Sequence, residues 1–306
     1  MGRSKTFLKP RSINTIGDCI TYAVEEFTKN EIYCGHGTDN IHDEAIWLVT
    51  KTLELPRTQV IDDALLQTKI STTQIDTVIY NVRSRATKHV PTAYLAREAS
   101  FADLDFYVDE RVIIPRSPFA ELIKNHFMPW INTDKVHNVL DMCTGSGCIA
   151  IAIAKYLENV KVDAVDLSEE ALAVAKINVQ AHDLKDRVQL IHSDLFNNVP
   201  RNKKYQIIIS NPPYIGPEEY ADMPKEYLQE PEMALVASND GMQLVENILE
   251  NAATYLDDNG ILVVEVGNTE SILQKTYPKI PWTWLEFQNG GHGVFLLTKE
   301  QLLDCF

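Results

Sequence analysis

Cysteine and long apolar runs are both scarce in this 306-residue sequence. Its five cysteines are odd in number and form no C-x-x-C pair, which argues against a disulfide framework and against a zinc ribbon. Unpaired thiols are typical of a reducing compartment, so we expect a cytoplasmic protein without a metal site. The apolar runs fall far short of the roughly 20 residues that a membrane helix needs, so we expect no membrane partner.

Basic residues are also few relative to acidic residues. The chain has 28 Lys and Arg against 43 Asp and Glu, which gives a net charge of −15. Binding of nucleic acid depends on cations that neutralise phosphates, and this composition offers no obvious surface for it. We therefore expect no stable binding of nucleic acid, and a basic protein is the better-matched partner.

Hydrophobic residues make up 45% of the chain, which is enough for substantial cores. Apolar residues recur at helical spacing in the first part of the chain and predict a helical domain over residues 1–88. Short apolar runs and prolines then predict a β-hairpin linker over residues 89–118. Strands and helices alternate over residues 119–306, which is typical of a mainly parallel α/β sheet, and two further strands are predicted around Trp284 and Val294.

The segment Y-Q-I-I-I-S-N-P-P-Y, residues 205–214, predicts a buried strand that ends at Asn211. Pro212 and Pro213 lack N–H groups, so the backbone there presents carbonyl acceptors with few competing donors. The Asn211 side chain adds an acceptor and Tyr214 adds a flat face. A primary amide or the exocyclic amine of a base would fit, although a plain turn after a strand has the same letters. Residues 215–240 lack periodicity and are interpreted as a loop over this site.

A glycine turn, Gly145-Ser146-Gly147, follows another predicted strand and precedes an apolar helix. With Asp166 at the end of the next strand, this pattern is compatible with a dinucleotide or with S-adenosylmethionine. Asp141 favours the second cofactor, because a carboxylate there would repel a pyrophosphate and attract the amino group of methionine. Asp194, which ends the third strand, could accept a hydrogen bond from the adenine amine, and the predicted C-terminal strand pair also suits a methyltransferase sheet.

These motifs carry a family resemblance. The sequences D-M-C-T-G-S-G at 141–147, S-D at 193–194 and N-P-P-Y at 211–214 resemble those of class I, Rossmann-like methyltransferases that modify amide or amine nitrogens. P-T-A-Y-L at 91–95 and V-D-E-R at 108–111 resemble the protein glutamine methyltransferases. G-H-G-T-D-N at 35–40 and I-P-R-S-P at 114–118 are similar to the branch that modifies the third protein of the large ribosomal subunit.

The resemblance implies transfer of the sulfonium methyl of S-adenosylmethionine to the side-chain amide nitrogen of a glutamine in that basic ribosomal protein. It also implies that residues 1–88 recognise the substrate and that residues 119–306 form the methyltransferase domain. The implied catalytic residues are Asn211, Pro212 and Tyr214, and the implied substrate contacts add Pro213 and Phe101. The implied cofactor contacts are Asp141, Thr144, Gly145, Ser146, Gly147, Asp166, Asp194 and Asn211. Arg116 and Glu265 are either site residues or members of structural ion pairs.

Four alternatives stay open from the residues alone. A glutamine methyltransferase of peptide-chain release factors has the same core motifs, although S-P-F-A-E at 117–121 departs from the pattern usual in that branch. An adenine or cytosine amino-methyltransferase shares N-P-P-Y but needs a basic surface for nucleic acid. In a dehydrogenase the N-P-P-Y sequence would have no role in the chemistry. A non-catalytic ribosome-assembly factor would not need the full set of cofactor and acceptor motifs.

Overall fold

A computed structural model of the chain describes residues 13–56, 59–238 and 242–306. Contacts along the chain divide it into two units, with the boundary between Arg97 and Glu98. No helix in these described ranges is long and apolar enough to cross a membrane. The same ranges contain no cluster of His, Cys, Asp and Glu that could hold a metal ion.

The first unit is helical, as predicted. Its helices are α1 (Ile16–Lys29), α2 (Ile41–Thr52), α3 (Asp63–Leu66), α4 (Thr72–Lys88) and α5 (Thr92–Ala96). Side-chain oxygens accept from backbone N–H groups at the start of several helices: Thr15 accepts from Asp18 at α1 and Asn40 from Asp43 at α2. Asp and Asn are both typical helix caps, and of Asp39 and Asn40 it is Asn40 that caps α2. The apolar stripes of α1, α2 and α4 form one core.

A buried polar cluster lies inside this helical unit. Glu44 and Arg85 are almost fully buried, and the Arg85 Nε donates to Glu44 Oε1 at 2.7 Å. Thr92 donates to the same oxygen at 2.7 Å, and Thr38 donates to the other carboxylate oxygen. The cluster therefore joins the glycine-histidine turn at residues 35–40 to α2, α4 and α5.

The second unit is an α/β sheet with a preceding hairpin. The hairpin strands β1 (Ala99–Phe101) and β2 (Leu104–Phe106) pair antiparallel. The sheet strands are β3 (Asn138–Met142), β4 (Lys161–Asp166), β5 (Val188–His192), β6 (Tyr205–Ser210), β7 (Leu256–Glu265), β8 (Thr283–Trp284) and β9 (Val294–Thr298). Its helices are α6 (Phe119–Lys124), α7 (Cys148–Tyr156), α8 (Glu169–Ala181), α9 (Pro217–Ala221), α10 (Gln243–Tyr255), α11 (Glu270–Thr276) and α12 (Lys299–Cys305).

The sheet order is β5-β4-β3-β6-β7-β9-β8. The first five strands are parallel, whereas β9 pairs antiparallel with β7 and β8 pairs antiparallel with β9. This order confirms the mainly parallel sheet with a C-terminal antiparallel strand pair. Alternate residues of each strand fill two cores: Ile207 and Ile209 of β6 enter one cluster and Ile208 enters the other.

Several predicted elements are shorter than the sequence pattern indicated. Pro118 favours a helix start and the residues after it predict a helix over 119–127, but α6 ends at Lys124, and His126 and Phe127 adopt positive φ angles. The strand predicted around Trp284 comprises only Thr283–Trp284. The Leu285 N–H still donates to the Val294 carbonyl at 2.8 Å, and farther along the backbone N–H groups of Gln288 and Asn289 donate to Glu121.

Two further segments differ from the sequence-based prediction: residues 112–114 and the predicted loop at residues 215–240. Val112 and Ile114 are buried, but residues 112–114 form no strand, and the Ile114 N–H donates to the carboxylate of Glu230 at 2.8 Å. The segment interpreted as a loop contains α9 and two short 3₁₀ helices, Tyr227–Gln229 and Glu232–Ala234. These single turns are too short to produce a readable helical period.

Candidate active site

The carboxyl ends of β3, β4, β6 and β7 meet at one edge of the sheet. In the ladder Met142 pairs with Val165 and with Ser210, and Ser210 pairs with Val264. The glycine turn, Asp166, N-P-P-Y and Glu265 therefore follow or end neighbouring strands. This edge of an open parallel sheet is where ligands bind.

Backbone contacts hold the glycine turn against the end of β4. Thr144 N–H donates to the Val165 carbonyl at 2.9 Å, and Gly145 N–H donates to the Asp166 carboxylate at 2.8 Å. Gly147 has a φ of +80°, and a Cβ there would lie 3.2 Å from the Cβ of Ala175 in α8. A side chain at that position would be strained and would press on α8.

A cavity of about 500 Å³ opens above this turn, within the size range of small-molecule sites. The predicted cofactor residues Gly145, Asp166, Asp194 and Asn211 lie on its wall. Asp166 also accepts from the Ser168 N–H at 2.9 Å. Burial raises the pKa of its carboxyl, and the backbone donors of Ser168 and Gly145 oppose that rise. The carboxylates of Asp166 and Asp194 thus offer hydrogen-bond acceptors in a cavity that is also lined by apolar side chains.

The other predicted cofactor residues do not line that cavity. Asp141 is fully buried, and its Oδ2 accepts from Thr144 Oγ1 at 2.5 Å and from Ala150 N–H at 3.1 Å. Burial raises its pKa to about 7, against the lowering effect of those two hydrogen bonds. Its Oδ1 has no hydrogen-bond partner among the described residues. Ser146 and Gly147 are buried as well and shape the turn.

A second cavity of about 250 Å³ lies beside the first. All four residues of N-P-P-Y line it, together with Glu265. Four residues line both cavities: Ile113, Asn211, Pro213 and Ala234. Asn211 and Pro213 therefore lie where the two cavities meet. A ligand in either cavity would contact these two residues.

Arg116 and Glu265, whose roles were left open, both line the second cavity. Arg116 makes a bidentate pair with buried Glu230, at 2.5 and 2.7 Å, and its guanidinium lies 4.9 Å from the centre of the Tyr227 ring. Glu265 accepts from Ser117 Oγ at 2.5 Å and from the Tyr214 hydroxyl at 3.1 Å. Arg116 is thus in an ion pair at the cavity wall, and Glu265 is bonded to hydroxyl groups.

Phe101 lies apart from the other predicted site residues. It is buried in the core, packs edge-on against Phe106 with 6.5 Å between ring centres, and lines neither cavity. The structure instead places Glu110 to Ile113 on the wall of the larger cavity, with Met233 and neighbours from the segment after N-P-P-Y. The apolar run at residues 112–114 was the sequence signal for the first group, but it was interpreted as part of the β-hairpin linker.

The chain is similar to known methyltransferases. The family model described as the methyltransferase small domain matches residues 124–278. The ribosomal protein uL3 glutamine methyltransferase of Neisseria gonorrhoeae is 45% identical over 294 residues, which cover 96% of this chain and 97% of that relative. The protein of the same name from Francisella tularensis subsp. tularensis is 45% identical over 95% of this chain and 92% of its own.

The chain belongs to the ribosomal protein uL3 glutamine methyltransferase family. Membership confirms the resemblance drawn from the motifs, the methyltransferase fold and the use of S-adenosylmethionine. Among solved structures, a methyltransferase from Pyrococcus furiosus matches with 16% identity and a TM-score of 0.46, over 75% of this chain and 99% of that one.

The residues around the larger cavity match the chemical groups of the family's cofactor. The larger cavity has carboxylates at the ends of β4 and β5, and close backbone approach is available at Gly145, where a Cβ would meet no atom within 4 Å. Asp141 keeps one buried oxygen without a hydrogen-bond partner in the described chain, next to the turn. These groups suit a ligand with ribose hydroxyls, a base amine and a cationic amino group, so the site fits S-adenosylmethionine.

Proposed function

We propose that this protein methylates the side-chain amide nitrogen of a glutamine in ribosomal protein uL3, with S-adenosylmethionine as methyl donor. The observation that carries the proposal is the meeting of the two cavities at Asn211 and Pro213. One cavity is fitted for the cofactor, and the other is lined by N-P-P-Y. Relatives that are 45% identical along nearly their whole length bear the name of this activity.

The cofactor would be held by residues around the larger cavity and its floor. Asp166 would accept from the ribose hydroxyls and Asp194 from the adenine amine. Gly145 would let the backbone approach, and the turn formed by Thr144, Ser146 and Gly147 would support it. Asp141 would face the positive amino end. S-adenosylmethionine supplies the electrophilic sulfonium methyl group when bound.

Asn211, Pro212 and Tyr214 would act on the acceptor amide. The nitrogen lone pair of an amide is delocalised into the carbonyl, so the nitrogen is a weak nucleophile. If the Asn211 side-chain oxygen and the Pro212 carbonyl accept the two amide N–H groups, they hold the nitrogen in place and favour charge developing on it. Tyr214 would pack on the amide plane. No strong general base is needed, because the proton becomes acidic only as the new bond forms.

Charge supports a basic protein as the partner. A net charge of −15 attracts a basic ribosomal protein over a distance and repels nucleic acid, so we propose no stable binding of nucleic acid. We further propose that residues 1–88 recognise the substrate, that residues 89–118 link the parts and that residues 119–306 carry the chemistry. The five free cysteines among the described residues suit a cytoplasmic location.

The direct test is a competition for labelled methyl groups. Purified protein would be incubated with methyl-labelled S-adenosylmethionine, free uL3, intact large subunits and a release factor, followed by mass spectrometry of the products. We expect one methyl group on a glutamine of free uL3, less on assembled subunits and least on the release factor. Preferential labelling of the release factor, or of nucleic acid added in parallel, would overturn the proposed substrate.

A further inference from the structure

Glu265 is a buried carboxylate that the proposed chemistry does not use. It is the last residue of β7, beside the strand end that leads into Asn211. Its side chain lines the smaller cavity although the residue is only 5% exposed. A buried carboxylate is costly unless donors satisfy its oxygens, so its contacts indicate what it is there to hold.

Each oxygen of Glu265 accepts from a different hydroxyl. Oε1 lies 3.1 Å from the Tyr214 hydroxyl, and Oε2 lies 2.5 Å from Ser117 Oγ. Ser117 Oγ itself accepts from the Phe119 N–H at 3.1 Å. Ser117 has a single hydroxyl proton, and that proton is directed to Glu265 Oε2. This contact holds the carboxylate by the oxygen that Tyr214 does not contact.

The residues after Glu265 contact the rest of Tyr214. Gly267 lies against the ring, and a Cβ at that position would come within 2.6 Å of Tyr214 Cε2. Thr269 Oγ1 donates to the Tyr214 carbonyl at 3.0 Å. The hydroxyl, the ring and the backbone oxygen of Tyr214 are therefore held by alternate residues of E-V-G-N-T at 265–269.

We propose that Glu265 is a positioning residue that fixes the Tyr214 ring at the wall of the smaller cavity, with Ser117 anchoring the carboxylate. This inference rests on the proposed function and specifies how its acceptor site is held in place. Glu265 would set the orientation of the Tyr214 ring, because the ring can pack on an amide plane only from a defined angle. Small misplacement of such a group is known to reduce turnover strongly.

A double-mutant cycle tests whether Glu265 acts through the Tyr214 hydroxyl. The enzymes are wild type, Glu265→Met, Tyr214→Phe and the double variant, and the reaction is methylation of free uL3. Met has a similar length and volume but no acceptor. We expect Glu265→Met to lower kcat at least about tenfold in the wild-type background and by less than about twofold in Tyr214→Phe, because contacting residues couple. The dissociation constant of S-adenosylmethionine should stay unchanged.

Two further variants separate positioning from general stability. Glu265→Gln keeps an oxygen for Tyr214 and gains an NH₂ that can donate to Ser117, so it should retain most of the turnover. Tyr205→Phe removes another buried tyrosine–carboxylate bond, 2.6 Å to Asp163, at the opposite end of the sheet. It should lower the free energy of unfolding and leave kcat unchanged.

The outcomes are distinguishable. If Glu265→Met lowers kcat equally in both backgrounds, or if Tyr205→Phe lowers kcat as much as Glu265→Met does, the positioning role is overturned while the proposed function stands. If wild-type protein does not methylate uL3, the proposed function fails and this inference fails with it.

Discussion

The carboxylate of Asp166 accepts a 2.8 Å hydrogen bond from the backbone N–H of Gly145. This contact joins the end of β4 to the turn after β3, and both residues line the larger cavity. The acidic residue and the glycine turn, which are 21 positions apart in the chain, thus form one wall.

Removal of either cavity carboxylate should weaken cofactor binding. Asp166→Ala and Asp194→Ala each delete an acceptor for ribose or adenine, and losing such a bond costs about 1–3 kcal/mol, roughly a fivefold to hundredfold rise in Kd. Isothermal titration with S-adenosylmethionine measures this directly. Asp258→Ala, at an exposed position near the start of β7, is the control and should bind normally. Normal affinity in both cavity variants would contradict the assignment.

Asn211→Ala should remove most turnover and leave the affinity for S-adenosylmethionine nearly intact. The missing side-chain oxygen is the one proposed to orient the acceptor amide, and loss of a single group of that kind typically lowers kcat about a hundredfold or more. Initial rates on free uL3 and titration of the cofactor provide the two readouts. Asn251→Ala, on exposed α10 surface, should keep full turnover. Near-normal rates in Asn211→Ala would refute the role.

Gly267→Ala should disturb the acceptor site through the Tyr214 ring. The new Cβ would lie 2.6 Å from Tyr214 Cε2, so the ring has to move. Gly290→Ala is a matched control, because Gly290 also has a positive φ but a Cβ there meets no atom within 4 Å. Both substitutions place a side chain at a positive φ, so both strain the backbone. We expect kcat to fall in Gly267→Ala and to stay unchanged in Gly290→Ala. Equal kcat in the two variants would show that the ring contact is irrelevant to turnover.

Stability of the cofactor-free protein should depend on pH through two buried carboxyls. Burial raises the pKa of Asp141 to about 7 and that of Glu265 to about 7, from ordinary values of 3.8 and 4.5. The folded state therefore holds protons that the unfolded chain has already lost. The resulting stabilisation is complete below the unfolded values and is lost as the pH rises through about 7.

Urea titrations across that interval measure this effect. Asp141→Asn and Glu265→Gln cannot ionise, so each should lose less stability than wild type between about pH 5 and about pH 8. Asp258→Asn, an exposed carboxyl, should follow the wild-type curve. Parallel curves for all four proteins would contradict the raised pKa values.

The buried pair in the helical unit should matter for stability. Glu44→Met leaves the Arg85 guanidinium, which is 1% exposed, without its 2.7 Å carboxylate partner. Breaking a buried pair on one side costs about 3–5 kcal/mol, whereas replacing both charges by apolar groups costs less. Urea unfolding of Glu44→Met and of the Glu44→Met, Arg85→Met double variant compares the two. A double variant less stable than the single one would argue against this account.

Much of the fold could be predicted from local pattern. The isoleucines of β6 have no polar alternation, and the structure buries them on both faces of the sheet, as a central parallel strand requires. The proline pair fixed where that strand ends, and Asn40 and Ser168 marked helix starts through their side-chain oxygens. These features depend on residues within a few positions of one another, so the sequence by itself determined them.

The tertiary structure decided which residues share a surface. Asp141 is fully buried beside the glycine turn, where Thr144 and Ala150 donate to one of its oxygens and the other oxygen has no hydrogen-bond partner among the described residues. Glu230 holds Arg116, and Ser117 holds Glu265, across more than a hundred positions of chain. Such contacts depend on how the sheet brings distant loops together and leave no local period in the sequence. The motifs therefore determined the family and the chemistry, whereas the packing of the loops decided how the acceptor site is built.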